Sequence, residues 1–348
     1  MTGSSWQVII KLGYQGETLT VYGKKNHSNW IYMIGSENDQ NQQQVDSWQS
    51  LIDWLQDHDW FQAYPMFIDQ GFGSYFWNEF QKQHVATANV ENWVKSCFTD
   101  HQQLLKAKRW LQEEKRIIVL TGAGMSTDSG VPDFRSSGGL WAGVDPQTIA
   151  SPEAIEQNYQ RFCNFYRDRI LQLQDIKPHE GHEILTKWHK QGIVTHLATQ
   201  NVDRLHQKSG FQKIDELHGS IEKIYCYDCN KDDEMSKFLN EEPCQHCGGR
   251  LRPGIVLFGE VLPEKPWTRT LKAIEKADLV IVIGTSLQVY PVNQLPLLTN
   301  GKTMLINQER VDMQDNFDVA IKRNAKEAIL LLDELLSSEN EKNEKKDW

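Results

Sequence analysis

The chain has 348 residues, 39% hydrophobic and 24% charged, with 23 Gly and 11 Pro, a globular composition that excludes a stapled mini-protein, a collagen-like chain and a low-complexity chain. Its 37 basic and 47 acidic residues give a net charge of −10, and no basic block could neutralise a run of phosphates, which argues against direct nucleic-acid binding. No stretch approaches the roughly 18 apolar residues of a membrane span and the N-terminus lacks signal-peptide character, so the reading is a soluble, cytoplasmic protein that engages no membrane.

The first hundred residues stand apart. Seven of the 12 Trp lie within residues 1–105, where 5 Lys/Arg face 11 Asp/Glu, while the rest of the chain is nearly balanced. β-Favouring runs at 6–12, 18–22 and 30–34, separated by Gly, Asn and Lys clusters, predict a small antiparallel sheet. After an Asn/Gln-rich linker at 38–44, Val45, Trp48, Leu51, Ile52 and Leu55 fall at helical spacing, with Asp46 or Ser47 as cap. Trp54 and Trp60 lie close to that stripe, and such a cluster reads as core. Residues 1–100 are therefore expected to form an accessory α+β domain.

From residue 101 strands alternate with helices. Leu104, Leu105, Ala107, Trp110 and Leu111 make an amphipathic helix. Apolar runs without alternation follow at 117–120, 193–198, 279–283 and 303–306, as expected of parallel strands buried on both faces. Each ends in polar or Gly-rich residues: Thr121-Gly122-Ala123-Gly124, Thr199-Gln200-Asn201, Gly284-Thr285-Ser286 and Asn307-Gln308-Glu309. Open parallel sheets bind ligands at the carboxyl ends of their strands, where these four sets would gather. The predicted domain runs from 101 to 335, and the Glu/Lys/Asn-rich tail at 336–348 reads as a disordered end.

Two stretches carry specific chemistry. Gly122-Ala123-Gly124-Met125-Ser126 directly after a buried strand offers close backbone approach and a helix N-terminus, the ingredients of a pyrophosphate cradle. The next glycine is Gly130, so this is no clean G-x-G-x-x-G, and the continuation through 127–136 is too polar and Gly-rich for an ordinary helix. Cys226, Cys229, Cys244 and Cys247 form two C-x-x-C pairs 14 residues apart, which in an intracellular chain points to metal rather than disulfides. Four thiolates can surround one Zn²⁺ tetrahedrally, and Gly248-Gly249 suits the turn of a zinc ribbon spanning about 222–252. The full thiolate shell makes that zinc structural, with His246 outside it. Cys97 and Cys163 read as packing residues.

The ordered set of motifs resembles the sirtuin family of NAD-dependent protein-lysine deacylases. Residues 122–135 match the family's first cofactor motif. Thr199-Gln200-Asn201-Val202-Asp203-Arg204-Leu205-His206 matches the second and Leu217-His218-Gly219 the third. The paired C-x-x-C units, Arg252-Pro253-Gly254-Ile255-Val256-Leu257-Phe258-Gly259-Glu260, Gly284-Thr285-Ser286-Leu287 and Ile306-Asn307-Gln308-Glu309 follow in the family's order. The resemblance covers about 101–335 and leaves the N-terminal segment unexplained. It implies an α/β fold, a Rossmann-like parallel sheet with a small zinc-ribbon subdomain, here preceded by the α+β domain.

The resemblance also implies a reaction: NAD as co-substrate, an acyl-lysine protein or peptide as substrate, and nicotinamide, deacylated lysine and O-acyl-ADP-ribose as products. On matching positions His218 would be the general base that activates a ribose hydroxyl, a role its ordinary pKa near 6.5 suits. Asn201 would position ribose and a water, and Asp203 would hold the nicotinamide carboxamide. Phe134 would cover the reacting ribose, and Arg135 would organise the loop and phosphates. Gly122, Ala123, Gly124, Ser126, Thr127, Asp133, Trp141 and Gln200 belong to the same cofactor motifs. Gly284, Thr285 and Ser286 would meet phosphate and adenine ribose, Asn307 and Glu309 the ribose hydroxyls, and Ala325 the adenine. Val256, Leu257, Phe258 and Gly259 would line the peptide groove, with the stretch near Tyr290-Pro291-Val292 opposite.

Tyr166 and Arg169, three apart on a helix, resemble the pair with which some sirtuins bind acidic acyl groups such as succinyl. The alternative is a solvated helix face with Asp168 as ion-pair partner. Two other functions stay open: ADP-ribosyl transfer or plain NAD hydrolysis, and an NAD-sensing scaffold whose N-terminal domain binds a protein partner or dimerises.

Overall fold

Residues 7–14, 17–26, 29–36, 43–58, 60, 64–68, 102–134, 138–141, 143 and 145–344 are described by the computed structural model, in which the chain divides into two units, Met1–Lys106 and Ala107–Trp348. In the first unit, β1 (Gln7–Tyr14), β2 (Glu17–Asn26), β3 (Asn29–Ser36), β4 (Gln43–Val45) and β5 (Tyr64–Ile68) form an antiparallel sheet in the order β4-β3-β2-β1-β5. Leu12, Leu19, Val21, Tyr32 and Ile34 are buried along its strands. Helix α1 (Trp48–Asp57) buries Leu51, Ile52 and Leu55. Its cap is Ser47, whose Oγ accepts from the Ser50 amide at 3.2 Å. Val45, assigned above to the helical stripe, instead ends β4 opposite Tyr32: a single buried valine before the cap fits either period, and the available sheet edge decides.

In the second unit, the run at 117–120 becomes β6 (Ile117–Thr121) and the other three become β7 (Val194–Thr199), β12 (Leu279–Ile283) and β13 (Lys302–Ile306). With the short edges β8 (Ile214–Glu216) and β14 (Val319–Ile321) they make a parallel sheet ordered β14-β13-β12-β6-β7-β8. Every residue of β6 and β12 is buried, which is why those strands read as continuous apolar runs. The two edge strands escaped the sequence reading because three residues carrying Asp215, Glu216 or Ala320 show no run. Helix α2 covers residues 102–113 and buries Leu104, Ala107, Trp110 and Leu111. Helices α3 (Pro152–Gln157), α4 (Tyr159–Gln174) and α5 (Glu180–Lys190) follow.

A second, antiparallel sheet, β10-β9-β11, is built from β9 (Gly219–Cys226), β10 (Asp232–Asp233) and β11 (Leu251–Ile255). One hydrophobic cluster joins it to α4, with Phe162, Tyr166 and Ile170 packed among Ile221, Ile224, Leu251 and Ile255. Each such side chain contributes about 1.5–3 kcal/mol by leaving water, so α4 is fixed on the small sheet. The C-terminal helix (Ala325–Glu344) runs nine residues into the stretch read as a disordered tail. Once Ala325–Leu336 is helical, each added Glu, Lys or Asn costs little, because the nucleation penalty is already met. Among the described residues no helix is long and apolar enough to cross a membrane.

Candidate active site

Register brings the four polar sets together. Thr121 is paired laterally with Thr199 and with Ile283, and Ile283 with Ile306, so the loops after β6, β7, β12 and β13 leave the sheet side by side. They are tied to one another. Thr121 Oγ1 donates to Thr199 Oγ1 at 2.8 Å, Asn201 Nδ2 to the Gly122 carbonyl at 2.9 Å, and the Gly124 amide to the Gly284 carbonyl at 2.8 Å. Gly284 has φ +62°, and a Cβ there would lie 2.4 Å from the Met125 nitrogen; only glycine lets the two loops meet. The helix N-terminus offered by Gly122–Ser126 is a 3₁₀ one, and no ordinary helix follows: two 3₁₀ turns, Ala123–Met125 and Thr127–Ser129, stand there, and Gly130 ends the second in the left-handed conformation.

A cavity of about 1270 Å³ opens at these strand ends, large for a single small ligand and suited to a dinucleotide plus a side chain. Gly122, Ala123, Gly124, Thr127, Asp133, Phe134, Trp141, Gln200, Asn201, His218, Gly284, Thr285, Ser286, Asn307, Glu309 and Ala325 line it, as do Tyr166, Arg169 and Val256 to Gly259. Ser126 and Asp203 do not; they lie beneath the wall, 1% and 4% exposed. Arg135 lies outside the described residues. Phe165, Trp267 and Gln288 line the cavity without having been singled out. Phe165 could have been found from its place beside Tyr166, whereas nothing in the sequence aims Trp267 at the cleft.

His218 sits between β8 and β9, held by its own carbonyl, which accepts from the Val256 amide at 2.9 Å. Its Nδ1 is 3.2 Å from the Gln200 carbonyl. A carbonyl only accepts, so Nδ1 carries the proton and Nε2 keeps its lone pair. Burial lowers the imidazole pKa from its ordinary value, and the bond to Gln200 offsets part of this. Asn201 donates from Nδ2 to Gly122 and also to Ser126 Oγ, while Ser126 Oγ donates to Asp203 Oδ2 at 2.7 Å. Asp203 Oδ1 accepts from the Leu205 amide at 2.9 Å. Burial raises the Asp203 pKa, against these bonds and the charge of Arg169. Asn201 Oδ1 is buried with no partner among the described residues, an acceptor that a ligand hydroxyl would satisfy.

Phe134, Trp141 and Phe165 stack in sequence, with ring centroids 5.5 and 5.9 Å apart. The Arg169 guanidinium lies over Phe134 at 5.4 Å. Arg169 is buried and makes no ion pair among the described residues, and Asp168 is exposed, so the solvated-face alternative is not what the structure shows. Elsewhere in the unit, the Sγ atoms of Cys226, Cys229, Cys244 and Cys247 all lie within 4.8 Å of one another. Cys226 and Cys247 are 3.5 Å apart, Cys229 and Cys244 3.8 Å. Bonds of about 2.3 Å to one tetrahedral zinc need sulfurs roughly 3.8 Å apart, so the donor set fits that ion.

The Sir2 family model matches residues 122–291. The chain is 45% identical over 218 residues to an NAD-dependent protein deacetylase of Oceanobacillus iheyensis, spanning 62% of this chain and 92% of that protein. It is 37% identical over 225 residues to an NAD-dependent protein deacylase of Mycobacterium leprae, spanning 62% and 94%. Among solved structures it is similar to one described as Sir2 with a p53 peptide and NAD⁺, at TM-score 0.60 and 31% identity over 66% of this chain and 97% of that one. A Sir2 homologue mutant in complex with ADP-ribose gives TM-score 0.65 and 32% identity over 68% and 97%.

Proposed function

The chain belongs to the Sir2 family, and from that premise we propose that this cavity removes acyl groups from protein lysines at the expense of NAD, giving nicotinamide, free lysine and O-acyl-ADP-ribose. The observation that carries the reading is His218: neutral, fixed through Nδ1, and lining the same cavity as the strand-end loops. NAD supplies a bond to nicotinamide that can break and ribose hydroxyls that can receive the acyl group. His218 Nε2 takes the proton of the attacking hydroxyl, which requires the unprotonated ring that burial favours. Asn201 Oδ1 accepts from a ribose hydroxyl. Asp203 acts through Ser126, holding the Asn201 amide in place rather than touching ligand. Phe134 and Trp141 cover the reacting face and exclude water. At the far strand end, Asn307 and Glu309 accept hydroxyl protons of the second ribose. The four thiolates hold one structural Zn²⁺ with no open position.

Tyr166 and Arg169 favour a finer reading, acceptance of acyl groups that end in a carboxylate, since a buried guanidinium without an ion-pair partner among the described residues suits such a group. The main reading is tested with purified protein, NAD and an acetyl-lysine peptide. Nicotinamide should appear mole for mole with deacetylated peptide, and His218→Ala should abolish turnover while NAD still binds. Nicotinamide released at the same rate without peptide would support hydrolysis instead, and would overturn the proposal.

A further inference from the structure

Asp215 is a buried carboxylate three residues before His218, used by neither the cofactor loops nor the thiolate cluster. It lies on β8, an edge of the parallel sheet with only β7 beside it, and its side chain is 2% exposed. Two neighbouring elements converge on it. Its Oδ1 accepts from Arg269 Nε at 2.8 Å and from Arg269 Nη2, its Oδ2 accepts from Thr270 Oγ1 at 3.3 Å, and His196 Nε2 on β7 lies 2.9 Å from Oδ2. Asp215 is paired with Ala198, so His196, two residues earlier, shares its face of the sheet. Burial by itself would raise the Asp215 pKa, but His196 and Arg269 outweigh it and lower the value, which keeps the carboxylate charged.

Arg269 and Thr270 belong to the helix Glu264–Glu275. Trp267, three residues before Thr270 and so on the same helical face, lines the cavity, and the helix that anchors Asp215 is thus part of the cavity wall. Beyond Asp215 the chain runs into Leu217, whose amide donates to the Thr199 carbonyl at 2.9 Å, and into His218, whose Nδ1 donates to the Gln200 carbonyl at 3.2 Å. Both acceptors sit at the end of β7. The bond that fixes the imidazole therefore depends on where β8 stands along β7, and a three-residue edge strand has few backbone bonds to hold that place. We propose that Asp215 is a positioning residue for His218: by tying β8 to His196 of β7 and to Arg269 and Thr270 of the helix, it keeps the proton on Nδ1 and the Nε2 lone pair free for the attacking hydroxyl. The inference rests on the deacylase reading for what Nε2 does, and on geometry alone for how the ring is held.

The experiment compares wild type, Arg269→Met, Arg269→Lys and the double variant Asp215→Leu/Arg269→Met. It records kcat, KM for acetyl-lysine peptide and for NAD, zinc content, and the nitrogen NMR spectrum of the histidine rings, with the His218 signals identified by their loss in His218→Ala. The Arg269 side chain is 59% exposed, so its replacement leaves the core intact, and the double variant strands no charge. The value of kcat should fall about tenfold in the double variant and about threefold in Arg269→Met, with Arg269→Lys nearer wild type, while both KM values and zinc stay within about twofold. His218 should show a protonated Nδ1 in wild type and a mixture of the two neutral tautomers in the double variant. Unchanged kcat in Arg269→Met and in the double variant, a His218 that keeps its Nδ1 proton in the double variant, or KM values that rise as far as kcat falls overturns the positioning role. The ring spectra need no turnover, so wild type inactive on the acylated peptide would sink the deacylase reading while the tautomer comparison still judges Asp215.

Discussion

His218 is kept neutral by burial, which lowers its pKa below the ordinary 6.5. A general base works only unprotonated, so activity should be full above pH 6.5 and fall as pH drops through the lowered value. In a pH profile of kcat/KM for the peptide, an acid limb centred above 6.5 would contradict the burial argument. At Arg169, removing a charge-assisted bond to a carboxylate costs about 1.5–3 kcal/mol, or roughly 10- to 100-fold. Arg169→Met should therefore depress succinyl-lysine turnover by that much and acetyl-lysine turnover little; equal succinyl rates would dismiss the pair. At this scale the sequence names candidates without showing depth. His218, Asn201 and Asp203 are all visible in motifs, yet Asp203 proves to lie beneath the wall, bound to Ser126, because depth depends on how two loops stack.

Among elements, β6 and β12 were legible because a strand covered on both faces must be apolar throughout, β7 and β13 because their buried ends carry the same run, and the thiolate spacing was legible because zinc imposes it. The edges β8 and β14 were not, since three residues beside a single neighbouring strand need no pattern. The Gly-rich, polar string after β6 was legible as no ordinary helix, and the structure makes it two 3₁₀ turns ended by Gly130 at φ +89°. The small sheet links His218 to the thiolate cluster: β9 begins at Gly219, directly after His218, and ends at Cys226. Cys244→Ser should lower zinc from about one per chain to none and reduce peptide turnover at least tenfold, as the metal's binding energy is folding energy for this sheet. Wild-type zinc content in that variant would remove the assignment.

For the whole molecule, three neighbouring imidazoles, tilted or edge-on to one another, lie against the end of β6 and the loop that follows it. His179 and His182 ring centroids are 4.2 Å apart, His182 and His206 4.9 Å; His179 Nε2 donates to the Met125 carbonyl at 2.7 Å, and His206 Nε2 to Thr121 Oγ1 at 3.0 Å. Burial, reinforced by the neighbouring rings, pushes the pKa of His182 down to about 2 and that of His206 to about 3. Above pH 6.5 both folded and unfolded chains hold them neutral, and stability is fully present. Below 6.5 the unfolded chain gains protons that the folded one refuses, so stability falls continuously towards pH 3. The urea midpoint should thus drop between pH 7.5 and 5.5; an unchanged midpoint would refute the effect. By itself the sequence determined the parallel sheet and the thiolate site, because buried strands and tetrahedral zinc each demand particular residues at particular spacings. Only the tertiary structure decided which motif residues face the cleft, that Arg169 is buried and not paired with Asp168, and that Asp215 gathers His196 and Arg269. Those depend on surfaces brought together from distant parts of the chain, and no local pattern records them.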